Sequence, residues 1–258
     1  MPNPRPHLVL FPGAWGNRTH ELAAWWFRHV IAHFRRDYEI VLLTYQGTGL
    51  DDYIDTALEQ LKAVPDGSYA ICYSMGSQIA RGVAAQRPKL FKRVALLSGL
   101  ERIGVRFVVF LRALTFMLKP MLRTLLGKPL MLDTVRQVRR VFLREVTQRI
   151  AMSKVDLAKA QREQDVVAQN LLDHRLQPEP AGVVLRLFLP GLRRRYPAFP
   201  CPVMAVVPSH DFILPNTAYP GEQVQKVAAM GDHALFALND NGVANSYLSR
   251  IANWFTLN

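Results

Sequence analysis

Residues 69–80 read Tyr-Ala-Ile-Cys-Tyr-Ser-Met-Gly-Ser-Gln-Ile-Ala, and Ser74 among them is the residue placed to do chemistry. An apolar run of strand character, Tyr69 to Cys72, leads into it. A helical pattern with Ile79, Ala80, Val83 and Ala84 on one side leads out. The residues two before and two after the serine, Cys72 and Gly76, are small. A serine on a tight strand-to-helix turn has a strained backbone, and strand and helix cross closely there, so both neighbours must be small. The turn pushes the hydroxyl out over the sheet edge and aims the next N–H, that of Met75, at the same space. A nucleophile beside an oxyanion donor is the arrangement for acyl transfer. Taken alone, the pattern also fits any strand-turn-helix. Only partner residues in the right order downstream separate the two readings.

Such a turn needs a sheet to carry it, and the rest of the chain reads as one. Residues 7–11, His-Leu-Val-Leu-Phe, form a short buried strand ended by Pro12-Gly13. Residues 19–36 read as one helix, with Leu22, Trp25, Trp26, His29, Val30 and Phe34 recurring on its sheet-facing side. A strand over 39–45 and a helix over 51–63 follow, the helix with acidic residues in its first turn to suit its dipole. After the Ser74 strand and its helix, which Pro88 ends, come strands over 93–97, 202–207 and 222–228 and a closing helix over 243–255. That makes about six strands.

Between residues 101 and 200 strand signals nearly vanish and the segments turn helical. Residues 107–126 are very apolar, but Arg106, Arg112, Lys119, Pro120 and Arg123 interrupt them. No run of ~20 uncharged apolar residues exists there, so no membrane span is expected. Residues 133–150 form an amphipathic helix with Val135, Val138, Phe142 and Val146 on one stripe. Arg136, Arg140 and Arg144 recur every four residues on one face, with Arg139 beside them. A charged face is often only solvated, but unpaired arginines at this spacing repel each other and suit an anionic partner.

Charge makes the same division of the chain. The whole chain of 258 residues carries a formal +12, of which residues 101–200 supply +11. That distribution points to an acidic partner for this insertion rather than for the sheet domain. Nucleic acid fits poorly, because the arginines are not interleaved with exposed aromatics. Two cysteines, Cys72 and Cys201, make no disulfide framework; both fall in predicted buried strands and read as reduced core thiols. The N-terminal Met-Pro-Asn-Pro-Arg-Pro-His lacks the apolar run of a secretory leader, so the expected location is cytoplasmic. His20, His29 and His33 read as helix residues, with no Cys or carboxylate cluster to make a metal site.

With the small-x-Ser-x-Gly turn, the Pro12-Gly13-Ala14-Trp15-Gly16 loop and two later loops in order, the chain resembles the α/β-hydrolase family. Cys72 and Pro12 stand where that family usually has a glycine and a histidine. The resemblance implies an α/β-hydrolase fold with a mostly parallel sheet and an inserted helical cap. Residues 1–100 and 201–258 would form the core domain and 101–200 the basic cap. It also implies that the oxyanion donors are the N–H groups of Ala14 and Met75. Asp211-Phe-Ile-Leu-Pro215 matches the family's acid loop, so the resemblance makes Asp211 the acid, with Glu101 as a second candidate. His233, in Gly231-Asp232-His233, becomes the general base. Serine at position 74 argues against the dehalogenase and epoxide hydrolase branches, which use a carboxylate nucleophile.

The chemistry so implied is ester hydrolysis through an acyl-enzyme, with no metal and no cofactor. Three functions are open. One is an esterase acting on an acyl chain held by an acidic acyl-carrier protein, resembling the pimeloyl-carrier methyl ester esterases of biotin synthesis in architecture and charge. Another is a lipase or thioesterase at an anionic membrane surface. The third is a non-catalytic binding protein, against which the intact Ser74, Asp211 and His233 argue.

Overall fold

The computed structural model describes residues 4–14, 17–99, 197–208, 224–229 and 243–257. In chain order these form β1 (His7–Phe11), α1 (His20–Trp26), α2 (Arg28–Phe34), β2 (Glu39–Leu42), α3 (Leu50–Gln60) and β3 (Ser68–Tyr73). Then come α4 (Gly76–Gln86), β4 (Phe91–Leu97), β5 (Val203–Pro208), β6 (Val224–Ala229) and α5 (Val243–Thr256). The six strands make one sheet, ordered β2-β1-β3-β4-β5-β6, and every pair is parallel.

Strand residues alternate between the two faces, and two separate apolar clusters result. Leu8, Leu10, Ile71, Tyr73, Ala95, Leu97, Met204 and Val206 pack with α1, α2 and α5. Val9, Phe11, Ala70, Cys72, Val94, Leu96, Val203 and Ala205 pack with α3 and α4. The direction of travel along the sheet decides which helix covers which face. A crossover between parallel strands is right-handed. The step from β1 to β2 runs one way and the steps through β3 and β4 run the other, so their helices fall on opposite faces.

The helix expected over residues 19–36 is two helices with a break at Phe27, which closes α1 and opens α2 with φ −94° and ψ 10°. Trp26 and Phe27, on either side of the break, are both buried. Arg28 stabilises the corner: its Nη1 donates to the Trp25 carbonyl at 2.9 Å and its guanidinium lies 4.6 Å from the Trp25 ring centroid. Trp25 and His29 are only partly buried.

The edge strand β2 is shorter than expected because the Gln60 side chain takes over its hydrogen bonding. Gln60 accepts from Thr44 N at 3.2 Å and donates to Thr44 O at 2.6 Å. Cys201 lies just ahead of β5, in a bend with Pro200, and is partly exposed, whereas a buried strand position was expected. The chain rejoins the sheet through Phe199, which is buried against α4 with the Arg81 guanidinium 4.8 Å from its ring centroid.

Candidate active site

The chain runs from β1 outward to β2 and then crosses back to β3 on the other side of β1. In an open parallel sheet such a reversal leaves a crevice beyond the carboxyl ends of the two strands. The residues that follow β1 are Pro12, Gly13 and Ala14, and those that follow β3 are Ser74 and Met75. The fold thus brings the serine turn together with the loop that the resemblance had matched to it.

Ser74 has φ 47°, in the left-handed region, and is partly exposed although almost everything around it is buried. Its amide donates to Leu97 O at 3.1 Å, which fastens the turn to β4. The next residues start α4 at once. Ser77 N donates to Ser74 O at 3.1 Å, Ser77 Oγ donates to the same oxygen at 2.7 Å, and Gln78 N donates to Met75 O at 2.9 Å. The Met75 amide precedes these and, like any amide at a helix start, has no carbonyl one turn back. The Met75 side chain is buried.

The two small neighbours have the steric reason expected of them. A methyl group on Gly76 would run into Phe11 O and lie 2.7 Å from Pro12 O, so α4 could not start this close to β1. Cys72 is fully buried between β1 and β4, on the α4 side of the sheet. Burial pushes its thiol well above the ordinary range, against the opposing pull of the nearby Arg81 charge.

Gly13 is pressed onto the same turn. A methyl there would sit 2.6 Å and 2.8 Å from two ring carbons of Tyr73 and 3.2 Å from Ser74 Cβ. Tyr73 is held from behind by Trp26, stacked with centroids 5.8 Å apart. Ala14 is partly buried and packs on the α3–α4 cluster.

Two features were not singled out from the sequence. Asn17 is fully buried and its Nδ2 donates to Gly13 O at 2.8 Å. Its own carbonyl accepts from Tyr45 N at 2.9 Å. Ser98, one residue past β4, shares the left-handed φ of 47° and is buried. An asparagine four residues after a glycine and a Ser-Gly pair after a strand are common enough that neither stood out. Asp211, His233 and Glu101 lie outside the described residues, as do Arg136, Arg139, Arg140 and Arg144 and nearly all of 101–200. Among the described residues no group of His, Cys, Asp and Glu could hold a metal ion, and no helix is long and apolar enough to cross a membrane.

A parallel sheet covered on both faces, with a left-handed serine between strand and helix at its switch point, defines a doubly wound α/β protein. The alpha/beta hydrolase family model matches residues 8–245, and the chain belongs to that family. Among solved structures the chain is similar to naproxen esterase (carboxylesterase NP) from Bacillus subtilis, at TM-score 0.59 and 15% identity, over 99% of this chain and 85% of that one. It is also similar to a 2-hydroxy-6-oxo-6-phenylhexa-2,4-dienoate hydrolase from Rhodococcus sp. strain RHA1, at TM-score 0.57 and 16% identity, over 96% of this chain and 91% of that one. Both likenesses are of fold. A curated relative from Acinetobacter baylyi, (E)-2-((N-methylformamido)methylene)succinate hydrolase, is 33% identical over 83 residues, 28% of this chain. The match spans about a third of that relative's length (32%).

Proposed function

We propose that the protein is a serine hydrolase that cleaves a carboxylic ester through an acyl-enzyme, with Ser74, His233 and Asp211 as its triad. The observation that carries this reading is the left-handed Ser74 at the switch point, with Gly13 packed onto it. The esterase and hydrolases it resembles are consistent with it.

Chain lengths support the two downstream partners. In a parallel sheet all carboxyl ends face one edge, and neighbouring strands lie about 4.8 Å apart. β5 and β6 thus lie about 10 Å and about 14 Å to the side of β3, and both run two residues past the level of Tyr73. Asp211 follows Pro208 by three residues and His233 follows Ala229 by four. Extended segments of that length span up to ~10 and ~14 Å. Segments of these lengths, with their side chains, would let each residue reach Ser74 from its own strand.

In this reading His233 takes the Ser74 proton as Oγ attacks the ester carbonyl. The N–H groups of Ala14 and Met75 hold the oxyanion. His233 then passes the proton to the leaving alcohol. A water, deprotonated by His233, releases the acid and restores Ser74. Asp211 holds the histidine tautomer and stabilises the imidazolium. No metal or cofactor takes part.

The charge of residues 101–200 supports a substrate that is itself acidic or presented by an acidic body. We take these residues as a helical cap, and the favoured substrate as an acyl ester on an acyl-carrier protein in the cytoplasm, as in biotin synthesis. Two free thiols agree with a reducing compartment. The same charge also suits a lipase or thioesterase on an anionic membrane.

The test is steady-state hydrolysis of a soluble medium-chain ester. Ser74→Ala should lose turnover by ~10⁶-fold, the scale of a triad knockout. Asp211→Asn should lose ~10⁴-fold while Glu101→Gln stays near wild type. Reversed effects would move the acid to Glu101, and turnover surviving Ser74→Ala would end the proposal.

A further inference from the structure

We infer that Asn17 is a positioning residue for the oxyanion site, fixing the Gly13–Ala14 peptide so that the Ala14 N–H stays directed at the reacting carbonyl. The inference rests on the serine-hydrolase reading above.

The physical problem begins with Gly13. It has to be glycine, because a side chain would collide with Tyr73. Glycine leaves the backbone free to turn either way, and a peptide following it can flip at little cost. A flip exchanges the directions of C=O and N–H. At an oxyanion site that would replace a donor with an acceptor, which would repel the developing negative charge. Pre-organisation therefore has to come from outside the glycine.

Asn17 is placed to supply it. The peptide unit is planar, so Gly13 C=O and Ala14 N–H are two ends of one rigid plate, and in the trans form they point in opposite directions. None of the described peptide bonds is cis. Holding the carbonyl therefore aims the N–H. Asn17 Nδ2 donates to that carbonyl at 2.8 Å. The asparagine is fully buried, and its own backbone carbonyl is tied to Tyr45 N at 2.9 Å, next to the end of β2. The clamp thus joins the loop after β1 to the segment after β2, on the side of β1 away from β3, and so holds the loop from behind the crevice. Only a donor can do this. A carboxylate of the same shape would present oxygen to oxygen and push the peptide away.

Asn17 never touches the substrate in this scheme, so its loss should weaken transition-state binding and leave ground-state binding alone. The experiment compares wild type, Asn17→Asp, Asn17→Ala and Ser74→Ala on one soluble p-nitrophenyl ester. It reads kcat and KM, the thermal melt, and the affinity for an aryl trifluoromethyl ketone, which adds to the serine as a tetrahedral oxyanion. Asn17→Asp should fold, keep KM within a few-fold, and lose kcat by ~10²–10³-fold, the scale of a lost oxyanion donor. Ketone affinity should fall by a matching factor. Asn17→Ala should behave alike. If Ser74→Ala is dead but folded Asn17→Asp keeps kcat and ketone affinity within twofold, Asn17 is structural only and the inference is wrong. If KM rises with kcat unchanged, the residue acts on substrate binding and the inference is equally wrong. If Ser74→Ala remains active, the hydrolase reading fails and takes this one with it. Where the variants do not fold, wild-type NMR decides: the Ala14 amide and Asn17 carboxamide resonances should both shift as the ketone is added, and an unmoved pair overturns the clamp.

Discussion

Ser74 holds a backbone conformation that costs an L-residue about 1–2 kcal/mol. Glycine would adopt it freely. Ser74→Gly should therefore raise the melting free energy by up to ~1 kcal/mol while abolishing turnover, a trade of stability for function at one residue. Gly76 is the converse case. Its missing side chain lets α4 start against β1, and the atoms in the way are main-chain oxygens that cannot swing aside. Gly76→Ala should destabilise by about 1–3 kcal/mol, seen as a lower denaturant midpoint with the slope unchanged. A Gly76→Ala variant as stable as wild type would mean the crossing is looser than described.

At the scale of elements, β3 is the strand on which the site depends, and Cys72 is its chemical probe. Its thiol is fully enclosed between β1, β4 and α4, while Cys201 ahead of β5 is partly exposed. A thiol reagent at pH 8 should modify Cys201 first and reach Cys72 only as fast as the sheet opens; equal rates would contradict the burial. The raised thiol also has a pH consequence. Desolvation favours the neutral form in the fold, so above the ordinary thiol range near pH 8.5 the unfolded chain binds fewer protons than the native one. Stability should be complete below that range and fall as pH rises through it. Tyr38, pushed to about 12 by burial and then by Tyr69 and Asp37, adds a decline above about pH 10. Cys72→Ala should flatten the first of these, in melts from pH 7 to 10. A slope unchanged by Cys72→Ala would assign the decline to other groups.

For the whole molecule, the division of charge is the main clue to a partner. Residues 101–200 carry +11 of the +12, so the other 158 residues together are close to neutral. Replacing Arg136, Arg140 and Arg144 with Glu together should leave hydrolysis of a small soluble ester unchanged. It should weaken turnover of the same acyl group on an acyl-carrier protein by ~10–100-fold, with the difference shrinking at high salt. Loss on anionic vesicles but not on the carrier would favour the membrane reading. Equal loss on the small ester would mean the segment no longer folds.

The strands and the serine turn were legible in the sequence, because they depend on local periodicity and on the volume of near neighbours; that the sheet is parallel was expected only from the resemblance and is seen in the strand pairing. Cys72, Ser74 and Gly76 announce a close strand–helix crossing within five residues. The Pro12–Ala14 loop could be matched to that turn only by resemblance. Tertiary structure decided what depends on distant partners. It split the first helix at Phe27, where no glycine or proline in the sequence marks a break. It left Cys201 partly exposed ahead of β5 and ended β2 early, where Gln60 reaches across from α3. It also brought Asn17 under Gly13. A hydrogen bond from a buried amide to a main-chain oxygen leaves no periodic trace in a sequence, because it is chosen by where the backbone folds and not by which residues are neighbours along it.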